Sequence, residues 1–365
     1  MRAALLTAPG QPLEVVDDVD IEAPRAGEVV VRVSHCGVCH SDLSNVDGTF
    51  PSPLPLVLGH EAAGTVEEVG PGVSSLQPGD RVVLTPTPPC GRCPFCLRGR
   101  FSICVNSTAV FTSTFNDGST RLSRKGATVY RGLGVGAFGE LVITQESGAI
   151  KVDDDTPLEI ACVIGCAIQT GVGAVLNTAK VEPGDTVLVL GLGGVGIAIV
   201  QGARIAGASR IIVSDPVSAR RDAAAHFGAT DAIDPTVDDV VTRVHALTGI
   251  GVDYAFEAVG KAALGQAAVW ATRPGGTAVL VGAGPLGDAI SIEPAVVFMA
   301  TERRLVGSFL GSSNSPREIP RLLSLWRAGR LDLESMVTHR RPLAEVNEAF
   351  DDLRAARGLR TVLEL

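Results

Sequence analysis

At 365 residues the chain exceeds the usual size of one hydrophobic core, so two domains of ordinary dimensions are expected. Its 45% hydrophobic and 19% charged residues, with 42 glycines, fit a globular α/β protein rather than a disordered one. The net charge of −9, without a run of Lys or Arg to track a phosphate backbone, argues against nucleic acid as a partner, and no apolar run reaches the ~20 residues of a membrane span.

The segment from Met1 to Pro9 fits neither a signal peptide nor a transit peptide, so a cytoplasmic location is expected. Short β-branched runs at Glu28 to Cys36, Gly64 to Val69 and Arg81 to Leu84, punctuated by Pro and Gly, predict mostly antiparallel strands through the first ~150 residues. Residues 158 to 178 read as helix-rich. The apolar run Thr186 to Leu190 then leads straight into a glycine turn.

From there helices and strands alternate. The pattern predicts helix Val195 to Ala206, strand Arg210 to Ser214, helix Ser218 to Phe227, strand Asp231 to Ile233 and helix Val237 to Leu247. It continues as strand Val252 to Glu257, helix Ala262 to Thr272 and strand Thr277 to Val281. Strands separated by helices of this length imply right-handed crossovers and a parallel, doubly wound sheet. After about Ser308 helices are expected near Pro316 to Ala328 and Leu343 to Ala356, with a last strand Arg360 to Leu363. The domain assignment is therefore 1–167 for a β-rich first part, 168–308 for the doubly wound domain, and 309–365 for a return to the first.

Eight cysteines in a chain without an export signal point to metal ligands more than to disulfides. Cys90, Cys93, Cys96 and Cys104 lie on one Pro- and Gly-rich stretch, a four-thiol set that matches the tetrahedral preference of zinc. All four positions being thiols, such a site is closed and structural. A second set is more dispersed: Cys39, His60 and Cys166 supply two thiols and an imidazole, three ligands with an open fourth position, as expected of a catalytic zinc. By composition alone Cys36 or Cys162 would serve equally well.

Gly191-Leu192-Gly193-Gly194-Val195-Gly196 is a G-x-G-x-x-G run between an apolar strand and a helix, the context of a dinucleotide pyrophosphate site. Asp215 ends the following strand, where a carboxylate accepts both ribose hydroxyls of NAD and repels the 2′-phosphate of NADP, so NAD is the expected cofactor. Arg220 and Arg221 follow closely. Arg220 is a candidate cofactor contact that would soften this exclusion, although a solvated helix face is the favoured reading of the pair.

The segments GVCHSDL (37–43), GHEAAGTVEEVG (59–70), the four-cysteine loop, IGCAIQTGVGAV (164–175) and GLGGVG (191–196) stand in the order of the zinc-containing medium-chain alcohol dehydrogenases, which the chain resembles over nearly its whole length. The resemblance implies a GroES-like catalytic domain beside a Rossmann domain, two zinc ions, and Cys39, His60 and Cys166 as ligands of the catalytic one. It places Glu61 beside that metal and makes Asp42 the acceptor that orients His60. It further implies nicotinamide contacts from Thr170, Val195 and Val281-Gly282, and pyrophosphate contacts from His40 and Arg360.

The activity so implied is reversible hydride transfer between a primary alcohol or its aldehyde and NAD, with Ser41 as first acceptor of the alcohol proton. Relatives commonly carry a histidine five residues beyond the first zinc cysteine as the next proton acceptor; here that residue is Ser44, so a water chain or His40 is expected to take over. Phe50, Pro86, Ala109, Phe111 and Phe115 fall in segments that shape the substrate cleft of similar enzymes, which implies an apolar pocket. Relatives acting on the formaldehyde adduct of glutathione place a carboxylate and an arginine there, where this chain has Phe50 and Thr108, and that subclass is disfavoured. The 105–139 segment is long, as in the dimeric relatives and unlike the usually shorter one of the tetrameric relatives, so the resemblance implies a homodimer, joined near Ser291 to Phe309. The competing readings are a nicotinoprotein that retains its NAD, and a non-catalytic zinc and dinucleotide sensor.

Overall fold

A computed structural model describes all 365 residues. The chain forms two compact units, one of residues 1–167, 314–329 and 333–365, the other of residues 168–313 and 330–332.

The first unit is built on β1 (Glu28–Gly37), which follows from its alternating, β-branched run, and continues through α1 (His40–Val46), β2 (Glu61–Val69), β3 (Arg81–Leu84), α2 (Ala109–Thr112), β4 (Leu141–Gln145) and β5 (Ala149–Lys151). The pairings of β1 with β2 and β4, of β2 with β3 and of β3 with β5 are all antiparallel. The core of this unit gathers around Leu5, Leu56, Leu58, Val66, Phe138 and Phe350, each nearly or fully buried.

The second unit starts at Ile168, inside α3 (Ala167–Gly173), and its sheet begins with β6 (Thr186–Leu190). There follow α4 (Gly194–Ala206), β7 (Arg210–Ser214), α5 (Ser218–Phe227), β8 (Asp231–Ile233), α6 (Val240–Thr248), β9 (Val252–Glu257), α7 (Ala262–Ala271), β10 (Thr272–Leu280) and β11 (Arg304–Gly307). The strand order is β8-β7-β6-β9-β10-β11 and every pairing is parallel, the doubly wound sheet expected from the alternation of elements. Leu188, Ile212, Ala255, Val269 and Ala278 lie in its core.

Two boundaries differ from the periodicity. Helix α6 starts at Val240 rather than Val237, because the Asp239 side chain accepts the Thr242 N–H and caps it there, leaving Val237 exposed. Helix α7 stops at Ala271 because Pro274 disfavours helical geometry at Arg273, and β10 begins at once instead of at Thr277.

The chain then returns to the first unit through α8 (Ser315–Arg327), β12 (Val337–Pro342), α9 (Val346–Arg354) and β13 (Arg360–Glu364). Strand β13 pairs antiparallel with β1 and parallel with β12. No single helix is long and apolar enough to cross a membrane.

Candidate metal centres and dinucleotide site

Three neighbouring strands converge on one end of the first unit. In the β1–β2 ladder Gly37 lies opposite Glu61, and in the β1–β13 ladder it lies opposite Val362. A Cβ at 37 would meet the Glu61 carboxylate, so the glycine leaves that carboxylate room to lie against β1. This register brings Cys39, just past β1, beside His60 and Glu61 at the start of β2 and Arg360 at the start of β13. Cys166 joins them from the turn after Cys162–Gly165.

The ligand atoms of Cys39, His60, Glu61 and Cys166 all lie within 4.8 Å of one another. His60 is fixed from behind: its Nδ1 lies 3.2 Å from Asp42 Oδ1, which also accepts the Gly59 N–H at 2.9 Å, while Asp42 Oδ2 accepts the Cys39 N–H at 3.2 Å. The other ring nitrogen, Nε2, is left for a metal. Burial lowers the affinity of His60 for a proton, but Asp42 and Cys39 outweigh it and raise its pKa well above the usual value.

Glu61 is fully buried and its pKa is pushed up to about 7 by that burial, against the pull of the Arg360 guanidinium. One carboxylate oxygen pairs with Arg360 and accepts the Ala167 N–H at 3.2 Å; the other, Oε2, has no partner. An unpartnered carboxylate oxygen beside two thiols and an imidazole is what a divalent cation would satisfy, and soft sulfur with nitrogen suits zinc. Cys36 and Cys162 are buried outside this group, and burial raises both of their pKa values.

Cys90, Cys93, Cys96 and Cys104 form the other cluster, with Cys93 Sγ 3.8 Å from Cys104 Sγ. Tetrahedral zinc with bonds of about 2.3 Å sets its sulfurs ~3.8 Å apart. The N–H of Cys96 and its neighbours draw the Cys93 pKa down to about 6, whereas burial and hydrogen bonding to Cys93 push Cys96 up to about 12. Four adjacent thiols do not all ionise unaided, so a closed four-thiolate site requires a cation.

In the second unit Gly191, at φ +91°, turns the chain from β6 into α4, and a Cβ there would strike Val259. A Cβ at Gly193 would meet nothing within 4 Å, so the N-terminus of α4 is open to a pyrophosphate. Asp215 is 5% exposed; its Oδ2 accepts the Leu192 N–H at 2.8 Å and its Oδ1 accepts the Val217 N–H at 2.9 Å. The carboxylate is thus tied to the glycine turn, and each oxygen has further acceptor capacity. Thr170 on α3 is buried, and the neighbouring Gly171 packs against the Val195 carbonyl; Val281 follows β10.

The solvated-face reading of Arg220 and Arg221 is overturned. Their side chains are only 14% and 15% exposed, because Arg220 approaches Asp215 at 4.0 Å and Arg221 donates to the Asp215 carbonyl at 2.7 Å and to Asp234 at 2.8 Å. Arg360 spends its guanidinium on Glu61 and the Val38 carbonyl. The sequence held no signal for the Glu61 pairing, since 299 residues separate the partners.

His40 is exposed at the first position of α1, with Ser41 and Ser44 half-buried behind it. Phe50 and Ala109 are half-buried, Pro86 is buried and Phe111 is exposed. Phe115 turns inward: the Arg131 and Arg121 guanidinium carbons lie 3.8 and 4.6 Å from its ring centre, and it packs with Val30 and Ile143. It anchors its loop to the sheet and is no pocket wall.

Residues 25–154 match the family model of the alcohol dehydrogenase GroES-like domain, and residues 194–327 that of the zinc-binding dehydrogenases. An S-(hydroxymethyl)glutathione dehydrogenase of Escherichia coli O139:H28 is 40% identical over 99% of both chains. Among solved structures, an alcohol dehydrogenase zinc-binding domain protein from Burkholderia ambifaria superposes with a TM-score of 0.94 at 38% identity, covering 100% of this chain and 98% of its own. Benzyl alcohol dehydrogenase from Acinetobacter calcoaceticus does so with a TM-score of 0.94 at 31% identity, covering 100% and 99%. Fold and donor sets define a zinc-binding oxidoreductase with a GroES-like and a Rossmann part. The chain belongs to the medium-chain dehydrogenase/reductase family, among its zinc-containing alcohol dehydrogenases.

Proposed function

We propose that the chain catalyses reversible hydride transfer between a primary alcohol, aliphatic or aromatic, and NAD. The observation that carries this reading is the grouping of Cys39, His60 and Cys166 around an unpartnered Glu61 oxygen, with His60 held by Asp42. When bound, zinc supplies Lewis acidity that lowers the pKa of an alcohol hydroxyl, and NAD supplies the hydride acceptor.

The protein's own residues position and move protons. Cys39, His60 and Cys166 hold the catalytic metal, and Cys90, Cys93, Cys96 and Cys104 the structural one. Ser41 takes the alcohol proton, and because Ser44 is no base near neutral pH, the proton leaves by water or His40. Asp215 selects NAD, and the turn Gly191 to Gly196 receives its pyrophosphate, with Thr170, Val195 and Val281 toward the nicotinamide.

Phe50, Pro86 and Ala109 give the pocket an apolar lining. This favours an uncharged primary alcohol over the glutathione adduct named for the Escherichia coli relative, since Phe50 and Thr108 stand where that adduct needs a carboxylate and an arginine. The benzyl alcohol relative supports an aromatic substrate.

A cytoplasmic homodimer completes the proposal. The exposed Val296, Val297 and Met299 precede the edge strand β11, and they supply an apolar surface beside an open strand edge. The test is a panel of alcohols and aldehydes with NAD and NADP, alongside zinc analysis of the purified protein.

A further inference from the structure

The strand order of the second unit reverses between β6 and β9, with β7 and β8 on one side of β6 and β9 to β11 on the other. In doubly wound sheets a ligand binds beyond the carboxyl ends of the strands at such a reversal. Strand β6 ends there at Leu190, which leads into the glycine turn. Strand β9 ends at Glu257, in register with Leu190 on one side and Leu280 on the other.

Glu257 is 2% exposed, and one of its carboxylate oxygens is held by main chain. Its Oε1 accepts the N–H of Val259 at 2.8 Å, of Gly260 at 2.8 Å and of Lys261 at 3.3 Å. Its carbonyl accepts the N–H of Val281 and of Gly282, both at 2.9 Å. One residue therefore gathers the turns that follow both β9 and β10. These turns touch backbone to backbone, since a Cβ at Gly282 would collide with the Gly260 nitrogen. The first of them also abuts the glycine turn through Val259 and Gly191. Burial raises the pKa of the carboxyl group, and the N–H groups it accepts oppose that rise.

We propose that Glu257 is a positioning residue for the nicotinamide dinucleotide: its carboxylate holds the shape of the turn beyond β9, which packs against the turn beyond β10 and against the glycine turn, and so fixes the surface that receives the cofactor. The inference rests on the reading of this unit as an NAD site. The geometry demands an acceptor at this place rather than a charge, so an amide of the same length keeps most of the function. Without an acceptor three N–H groups lose their partner and the turns loosen.

The test uses the full-length, zinc-loaded protein and reads NADH binding by fluorescence titration, together with steady-state constants and the melting temperature. Glu257→Ala is expected to weaken NADH binding about tenfold or more and to raise the KM for NAD in parallel, with kcat, zinc content and the KM for alcohol little changed. Glu257→Gln is expected to recover most of that loss. Glu257→Asp, which draws the carboxylate back by one methylene, is expected to fall between the two, and it carries the test if the alanine variant does not fold. Unchanged NADH affinity in the aspartate and alanine variants, or a glutamine variant no better than alanine, overturns the proposal. A wild-type protein that binds no NADH overturns the underlying NAD reading instead, before any variant is compared.

Discussion

Asp42 and His60 form a buried pair, Oδ1 to Nδ1 at 3.2 Å, with the Asp42 side chain fully enclosed and that of His60 2% exposed. The same carboxylate accepts main-chain N–H groups from Cys39 and Gly59, so one residue sets both a thiol and an imidazole of the donor set. Replacing Asp42 by Ala is expected to lower zinc affinity at this site by about 10- to 100-fold while the four-cysteine site keeps its metal. Chelator competition followed by metal analysis reads both at once. Equal loss from the two sites would show that Asp42 acts on folding rather than on the donor set.

The Cys90/Cys93/Cys96/Cys104 loop has little regular structure beyond two short turns, Cys96–Arg98 and Phe101–Ile103, and its apolar core is made of the thiols themselves with Phe95 and Phe101. Cys104→Ala is expected to reduce zinc to one per chain and to open residues 90–104 to proteolysis. Retention of both the metal and protease resistance would mean that the loop is held by other contacts.

Asp215 holds the glycine turn through Leu192, and in the proposed function it also accepts the ribose hydroxyls. Asp215→Ser is expected to raise the KM for NAD about 10- to 100-fold, the loss of hydrogen bonds to a charged acceptor, and to shift the NADP-to-NAD ratio of kcat/KM upward because Arg220 is 4.0 Å away. Since the turn itself loosens, the absolute rate with NADP is expected to remain below the wild-type rate with NAD. Steady-state constants with both cofactors decide it.

Ser44 lies half-buried on α1, one turn beyond His40. Ser44→His introduces a group titrating near pH ~6.5 and is expected to move the pH profile of single-turnover hydride transfer toward that value. An unchanged profile would place the proton path elsewhere.

Asp352 accepts hydrogen bonds from Arg341 Nε at 2.8 Å and Arg357 Nε at 2.7 Å. Burial works to raise its pKa, but the two guanidinium groups outweigh it and the folded value lies below that of the unfolded chain. The stabilisation is therefore complete above pH ~4 and is lost as pH falls through the lower folded value. Asp352→Asn is expected to destabilise the protein at neutral pH and to lessen its acid sensitivity. Urea unfolding at pH 7 and pH 3 measures both.

The second unit was the more legible part of the fold. Runs such as Thr186 to Leu190 and Arg210 to Ser214 are apolar enough to be central strands, and the structure keeps their boundaries unchanged. Boundaries slipped where a single side chain decided them, as Asp239 did for α6. The donor residues of both metal groups were legible as residue types, and their grouping follows from strand register. What periodicity could not supply were partners far apart in sequence, such as Glu61 with Arg360, and orientations such as the inward turns of Phe115 and Arg220. Glu257 is a carboxylate at the carboxyl end of an apolar strand, next to the reversal in strand order, and that position is itself legible in the sequence.

An alcohol dehydrogenase with an apolar pocket must discriminate sharply between an uncharged alcohol and a charged glutathione adduct. NADH formation from NAD should be measured with benzyl alcohol and with S-(hydroxymethyl)glutathione on the same zinc-loaded preparation. The kcat/KM for benzyl alcohol is expected to exceed that for the glutathione adduct by about 100-fold, the equivalent of ~2.7 kcal/mol in transition-state stabilisation. A preference for the glutathione adduct, or no NADH from either, would contradict it.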